Sequence, residues 1–317
     1  MLTEIMRFIS FIGSAGFYLP VVVLVFWCFS PRVAARAAVV LAFSAAVNTL
    51  LKLLWHAPRP YWTDPSVKAY QSLASFGMPS GHAQSAAVGW GLVGVQARRR
   101  AVWVLVGVVV FLVGVSRVYL GVHSVWQVLA GWAIGAVLLA AALALEPIVV
   151  PWWTRRALAV QFLLSAVVAA AVLVATALAV EALAGRPLPG AWARAIEVAG
   201  GTVKPVSLAQ GSAATGTLFG VLAGLSWLTR TGWYDAGGPP LKRLARLPIG
   251  FAGAAAIWVV GLFAGTQVIV VFVVYTLLTL WIIFGAPAVF VRLGLARREV
   301  RAARADGLAP GDARSIT

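Results

Sequence analysis

Three stretches of this sequence set cations and imidazoles into an otherwise apolar chain: Lys52 to Arg59-Pro60, Pro79-Ser80-Gly81-His82, and Ser116-Arg117 to His123. Lys52, Arg59 and Arg117 lie close to or inside apolar runs, and a cation at membrane depth usually faces a polar cavity or a partner. Snorkelling from a helix end would account for one isolated lysine, but Lys52 is not isolated. Pro58 and Pro60 should end the preceding helix and leave Arg59 in irregular backbone that can fold over Lys52. Ser80 suits a helix N-cap, Gly81 lets backbone approach closely, and a helix start attracts an anion through its free N–H groups and dipole. Three cations, a helix N-terminus and two imidazoles are what in-line phosphoryl transfer to a side chain needs. Fixed donors hold the charge on the equatorial oxygens. One imidazole attacks and the other gives a proton to the leaving oxygen. Gln127 follows His123 by four residues, on the same face if a helix has begun there, so its amide could hold the second ring nitrogen.

Other readings of these residues are weaker. The three histidines, His56, His82 and His123, lack the spacing of a zinc site, and Asp64 is an isolated carboxylate. His56 has no motif role and is expected at an interfacial or loop contact. Asp64 is expected to be solvated in its loop rather than paired with Arg59 or Lys68.

The elements that must position these groups are membrane helices. The chain has 317 residues, 62% hydrophobic and only 11% charged, with mean hydropathy +0.93, whereas a soluble domain carries about a quarter charged residues. Nine apolar runs are long enough to read as spans, at 14–30, 34–55, 82–97, 101–120, 124–145, 157–180, 210–228, 249–265 and 267–288. The fold expected is an all-α polytopic transmembrane bundle of about nine spans. Residues 1–16 contain Glu4 and Arg7 and lack the build of a removable signal peptide, so a short interfacial helix is expected. Cys28 is the only cysteine, which excludes an intrachain disulfide.

The formal net charge of +16 does not point to nucleic acid, because most basic residues lie in short loops between apolar runs. Arg32, Arg36, Arg98, Arg99, Arg100, Arg155, Arg156, Arg230, Lys242, Arg243 and Arg246 fall on one side of a nine-span layout, together with Arg292, Arg297, Arg298, Arg301, Arg304 and Arg314. The positive-inside rule makes that side cytoplasmic, with the N-terminus outside, the C-terminus inside and the motif loops on the non-cytoplasmic face. The tail from residue 289 should end a helix and continue as a flexible segment, Gly307–Gly311, with anionic lipid as a plausible contact. Gly131-x3-Gly135 and Gly216-x3-Gly220-x3-Gly224 let helices approach closely, and packing within the chain is expected to take them.

Taken in order, K-x6-R-P, P-S-G-H and S-R-x5-H resemble the three-part signature of the type 2 phosphatidic acid phosphatase superfamily. That group includes bacterial lipid phosphatases, undecaprenyl diphosphate phosphatases and glucose-6-phosphatases. The resemblance implies a haloperoxidase-like catalytic core and a metal-independent reaction without cofactors. It also implies His123 as nucleophile, His82 as general acid, and Lys52, Arg59, Ser80, Gly81 and Arg117 as the phosphate clamp. The usual pattern has Asp four residues after the nucleophile, where this chain has Gln127, which resembles glucose-6-phosphatases. So do Arg59-Pro60-Tyr61-Trp62 and Gly216-Thr217-Leu218-Phe219-Gly220. Asp would fix the tautomer and add charge, whereas Gln can do only the first.

The expected function is hydrolysis of a lipid phosphate or polyprenyl diphosphate through a phosphohistidine, at the outer face of a bacterial plasma membrane. The composition, rich in Ala, Gly, Val and Arg, is compatible with a bacterium. Alternatives are a glucose-6-phosphatase-like hydrolase of a soluble sugar phosphate, a phosphotransferase using another hydroxyl acceptor, and a non-catalytic transporter or scaffold. Residues 1–150 are expected to form the catalytic membrane core, and residues 151–317 to add four spans and a basic tail. Nothing in the spacing sets an oligomeric state.

Overall fold

Backbone crossing a bilayer must satisfy its own hydrogen bonds, and apolar runs of this length can do so as helices. The computed structural model describes residues 1–299 and is built almost wholly from helices. They are α1 (Leu2–Phe11), α2 (Ala15–Cys28), α3 (Pro31–Trp55), α4 (Pro60–Thr63), α5 (Gly81–Ala97), α6 (Arg100–Tyr119) and α7 (Val125–Thr154). Then come α8 (Leu158–Leu183), α9 (Gly190–Val198), α10 (Leu208–Thr231), α11 (Pro240–Ala264), α12 (Val268–Leu280) and α13 (Ala286–Arg292). A π-helical turn, Trp281–Gly285, joins α12 to α13. The short strands β1 (Tyr234–Asp235) and β2 (Arg297–Arg298) pair antiparallel, Tyr234 opposite Arg298. Arg301, Arg304, Arg314 and the Gly307–Gly311 segment lie outside the described residues.

Each of the nine expected runs is helical, but not each is long enough to span. Among the described residues seven helical stretches are long and apolar enough to cross a membrane, or eight if the pair α1–α2, bent by 49°, counts as one. The helices that fall short alone are α2, with 14 residues, and α5, with 17. At 1.5 Å per residue they reach only about 21 and 26 Å, against roughly 30 Å of hydrocarbon. Local chemistry sets the length of α5. Its start is fixed by Ser80, whose Oγ accepts from Ala83 N at 3.4 Å, and it ends where Arg98 turns left-handed at φ 53°. It lies in the bundle interior, against α7, α6 and α3. As expected, the first residues form a short helix, α1, which packs on α6.

Small residues bring the helices together. A Cβ on Gly131 would come 2.6 Å from Ser80 O, and one on Gly135 would come 2.7 Å from Gln84 O, so α7 rests directly on the backbone of α5. On α10, a Cβ at Gly220 would come 2.9 Å from Thr276 O on α12. Both glycine stripes therefore face helices of the same chain. Gln84, wholly buried, joins two helices by donating to Ser44 O and Ser44 Oγ, both at 2.9 Å, and accepting from Asn48 Nδ2 at 2.8 Å.

Two clusters define the ends of the bundle. At one end Trp27, Phe26, Tyr234 and Phe290 pack together. Arg246 is buried there and donates to the carbonyls of Trp27, Ala236, Gly237 and Leu295 at 2.5–2.8 Å. Its sequence context is that of a loop cation, whereas the structure sets it in α11 with backbone carbonyls around it. Arg36 pairs with Glu146 at 2.5 Å, tying α3 to α7. At the other end Leu53, Tyr61, Trp62, Phe76, Leu120 and Val122 pack with Ala179 of α8 and Ile196 of α9. Trp62 lies 6.0 Å from Trp192, ring to ring. Elements after residue 150 thus wall the end of the bundle that carries the motifs.

Candidate active site

Four helix ends converge at the second cluster: the last turns of α3 and α6 and the first turns of α5 and α7. Each motif occupies one or two of these ends. Lys52 lies in the last turn of α3, and Arg59 follows in the extended stretch before α4, as the two prolines required. Ser80 caps α5, with Gly81 and His82 opening the helix. The peptide Met78-Pro79 before the cap is cis. Arg117 lies in the last turn of α6, and its carbonyl accepts from both Val122 N and His123 N at 3.3 Å, so the six-residue spacing closes into one tight turn. His123 then stands just before Ser124, the N-cap of α7.

His123 is held by both ring nitrogens. Its Nδ1 lies 3.0 Å from Gln127 Oε1, and its Nε2 lies 3.2 Å from Arg59 Nη1. The orientation of the Gln127 amide follows from its other neighbours. Gln127 Nε2 donates to Pro58 O at 2.8 Å, and Gln127 Oε1 accepts from Ser124 N at 3.3 Å, closing a capping box. Since Pro58 O can only accept and Ser124 N–H can only donate, the oxygen must face His123. That oxygen accepts from Nδ1–H, which leaves the lone pair on Nε2. Burial, then Arg59, Lys52 and Arg117, push the His123 pKa well below the ordinary imidazole value, against a smaller opposite pull from Gln127. The ring is neutral at pH 7.

The cations differ in what they have left to give. Arg59 is buried, and its N–H groups reach Ser75 O at 2.8 Å, Val122 O at 2.9 Å, Ser75 Oγ at 3.1 Å, Phe76 O at 3.2 Å and His123 Nε2. All five donors of a guanidinium are thereby occupied. Lys52, 9% exposed, donates once, to Phe76 O at 2.6 Å, and keeps two N–H bonds. Arg117, 0% exposed, uses only Nη1, which donates to Ser10 Oγ and to Gln71 Oε1, the latter at 3.1 Å. Its Nε and Nη2 are buried without a partner among the described residues. Ser80 N donates to Gln127 O at 2.9 Å, so the N–H groups still open at the start of α5 are those of Gly81 and His82. The half-buried His82 opens α5 at this same end of the bundle.

The strap from Asp64 to Pro79 closes over these groups. Tyr70 N donates to Leu120 O at 3.1 Å and Gly77 N to Ala57 O at 2.8 Å. Gly121 has φ +72°, and Lys68 O fills the space a Cβ there would need. Gly77 is a further requirement: a Cβ on it would lie 2.6–2.8 Å from three atoms of the Gln127 amide. The motif spacing did not reveal Gly77, Ser75, Gln71 or Ser10, whose roles come from loop closure and from a distant helix. His56 caps α3 in a left-handed turn at φ 35°, exposed and edge-on to Phe76, a loop contact as expected. Asp64 accepts from Ser66 N and Ser66 Oγ, a local turn rather than an ion pair with Arg59 or Lys68. Among the described residues no three His, Cys, Asp or Glu side chains gather as metal ligands would.

Residues 33–151 match the PAP2 superfamily, and residues 212–298 match the transmembrane extension of PAP2 superfamily phosphatases. Phosphatidylglycerophosphatase B of Bacillus subtilis is 31% identical over 150 residues, which cover 43% of this chain and 71% of that protein. Sphingosine-1-phosphate phosphatase 2 of Mus musculus is 31% identical over 140 residues, 42% of this chain and 40% of that protein. A crystal structure of a PAP2-type phosphatidylglycerolphosphate phosphatase from Bacillus subtilis aligns at TM-score 0.39 and 28% identity, covering 46% of this chain and 77% of that one. The chain belongs to the PAP2 superfamily, as an integral-membrane phosphatase that also carries the superfamily's transmembrane extension.

Proposed function

We propose that this phosphatase hydrolyses a lipid phosphate through a phosphohistidine on His123. The observation that carries the reading is the pair of contacts at the ring: Gln127 Oε1 accepts from Nδ1–H, and the Nε2 lone pair faces Arg59. In the reaction Nε2 attacks phosphorus while the bond to the leaving oxygen breaks. His82 gives that oxygen a proton, then takes one from the water that cleaves the phosphohistidine. Lys52, the free edge of Arg117 and the first N–H groups of α5, capped by Ser80 and starting at Gly81, hold the equatorial oxygens. Arg59 shapes the pocket and turns the N–H now on Nε2 towards a phosphoryl oxygen. The two relatives are named for lipid phosphates, which favours a lipid over a soluble sugar phosphate.

The reading places the site on the non-cytoplasmic face. Arg98, Arg99, Arg100, Arg155 and Arg156 lie at helix ends opposite those that carry the motifs, as the positive-inside rule asks of a cytoplasmic end. Residues 1–150 carry the chemistry in this account, and the rest supplies the wall behind the strap. The test is phosphate release by the purified protein, with a chelator present, from phosphatidylglycerophosphate, phosphatidate, a polyprenyl diphosphate and glucose 6-phosphate. The proposal expects the lipid substrates to lead and His123→Ala to abolish turnover. Preference for glucose 6-phosphate would overturn the substrate class, and full activity of His123→Ala would overturn the nucleophile.

A further inference from the structure

Arg117 is anchored from outside the segment that matches the superfamily. That match begins at residue 33, whereas Arg117 Nη1 donates to Ser10 Oγ on α1. Ser10 is 4% exposed and Arg117 0%, so the bond is shielded from water, where a charged hydrogen bond counts most. Gln71 Oε1 takes the second hydrogen of the same nitrogen at 3.1 Å. With Nη1 fully used on one side, the edge formed by Nε and Nη2 has no partner among the described residues although both atoms are buried. That edge is the one a guanidinium presents to two oxygens of a phosphate.

The helix that brings Ser10 here has its own means of staying in place. Its inward side carries Thr3, Met6 and Ser10, and Thr3 Oγ1 lies 3.1 Å from Tyr119 OH. Arg7 Nη2 donates to Tyr70 O on the strap at 3.1 Å. Its outward side exposes Leu2, Ile5, Phe8 and Phe11 at helical spacing, the face of a helix lying in the membrane interface. α1 therefore bridges three things: the interface, the strap and the guanidinium.

We propose that Ser10 of α1 is a positioning residue for phosphoryl transfer, holding Arg117 so that its Nε and Nη2 face the phosphate. The inference rests on the reading of Arg117 as part of the phosphate clamp. Ser10 touches no reacting atom, and its effect passes entirely through Arg117. It follows that a chain cut after residue 12 would retain every motif yet hold its clamp loosely.

The test is a double-mutant cycle on the full chain, with Ser10→Ala, Arg117→Lys and both together. Alanine is the best helix former, so Ser10→Ala keeps α1 helical. Two quantities are read: kcat/KM on the fastest substrate of the panel above, and inhibition by orthovanadate, a mimic of five-coordinate phosphorus. Ser10→Ala is expected to lower kcat/KM about tenfold, the scale of one charged hydrogen bond, and to weaken vanadate in parallel. In the Arg117→Lys background the same change should cost less than twofold, because the group it acts through is gone. An unaltered Ser10→Ala enzyme overturns the inference, and so does a tenfold loss that persists in the Arg117→Lys background. The clamp reading survives either result if Arg117→Lys alone is strongly impaired. If Arg117→Lys is as active as the parent, the clamp reading itself fails and the inference falls with it.

Discussion

Gln127 and His123 form a matched pair in which the amide leaves the ring no choice of tautomer. Gln127 Oε1 is 3.0 Å from His123 Nδ1, while Gln127 Nε2 is bound to Pro58 O at 2.8 Å. A carboxylate at residue 127 could accept from the ring equally well, but it has no hydrogen to give Pro58 O. The surroundings are thus built for a neutral amide, whose N–H group the Pro58 carbonyl requires.

Changing Gln127 should therefore cost activity in both directions of chemistry. Gln127→Glu sets an oxygen against the Pro58 carbonyl, and Gln127→Asp gives up that contact by falling one methylene short. A buried carbonyl left without its donor costs about 1–3 kcal/mol. Kinetics should show kcat lowered tenfold or more in both variants. A faster Gln127→Asp enzyme would mean that charge matters more here than the fit to Pro58.

A second prediction concerns pH. The His123 pKa is held well below the usual imidazole range by burial and by Arg59, Lys52 and Arg117. An unfolded ring takes up a proton near pH 6.5, whereas the folded one stays neutral until well below that. The stability it contributes is fully present above about 6.5 and declines as the pH falls below that value. Nitrogen NMR on histidine-labelled protein in micelles should show neutral His123 with Nδ1 protonated from pH 8 to below 6. A titration of this ring at 6.5 would contradict the buried, cation-lined site.

The strap supplies a third. Gly77→Ala places a methyl group in the space of the Gln127 amide, within 2.8 Å of Cδ. Either the amide shifts off Nδ1 or the strap lifts, at a cost of about 1–3 kcal/mol for overpacking. Activity should drop sharply with the protein still folded. An unimpaired Gly77→Ala enzyme would show that the strap can lift without disturbing His123.

The two arginines should fail in different ways. Arg59 is bound to backbone or side-chain groups by every N–H, including carbonyls of Ser75, Phe76 and Val122, so Arg59→Ala should lower both thermal stability and rate. Arg117 keeps Nε and Nη2 without a partner among the described residues, so Arg117→Ala should cost a hundredfold or more in kcat, the scale of one transition-state donor, with a smaller loss of stability. Thermal unfolding beside kinetics separates the two, and equal destabilisation would remove the distinction between them.

Much of this was legible in the sequence for physical reasons. Cations in apolar runs need a polar cavity, prolines at 58 and 60 end a helix, and Ser80 before Gly81 caps the next, so the motifs had to sit at helix ends. Residues four apart across a helix start meet, which tied Gln127 to His123 in advance. Span number was harder. α2 and α5 are apolar but short, and a hydropathy run does not reveal that α1 bends onto α2 by 49° or that α5 is enclosed by its neighbours. Arg246 reads as a loop cation until the chain beside β1 and β2 brings three carbonyls around it and α2 a fourth. Ser10 and Gln71 carry no local signal, since their meaning lies in a contact with Arg117 at separations of 107 and 46 residues.

The central claim is the covalent step on His123, and direct trapping tests it best. Protein mixed with the fastest lipid phosphate should be quenched within a turnover in alkali, which preserves phosphohistidine, and its peptides analysed by mass spectrometry. The account predicts a phosphoryl group on the peptide containing His123, attached at Nε2 and missing from His123→Ala. A phosphoryl group on another side chain, or turnover with none trapped on His123 at any time, would contradict it.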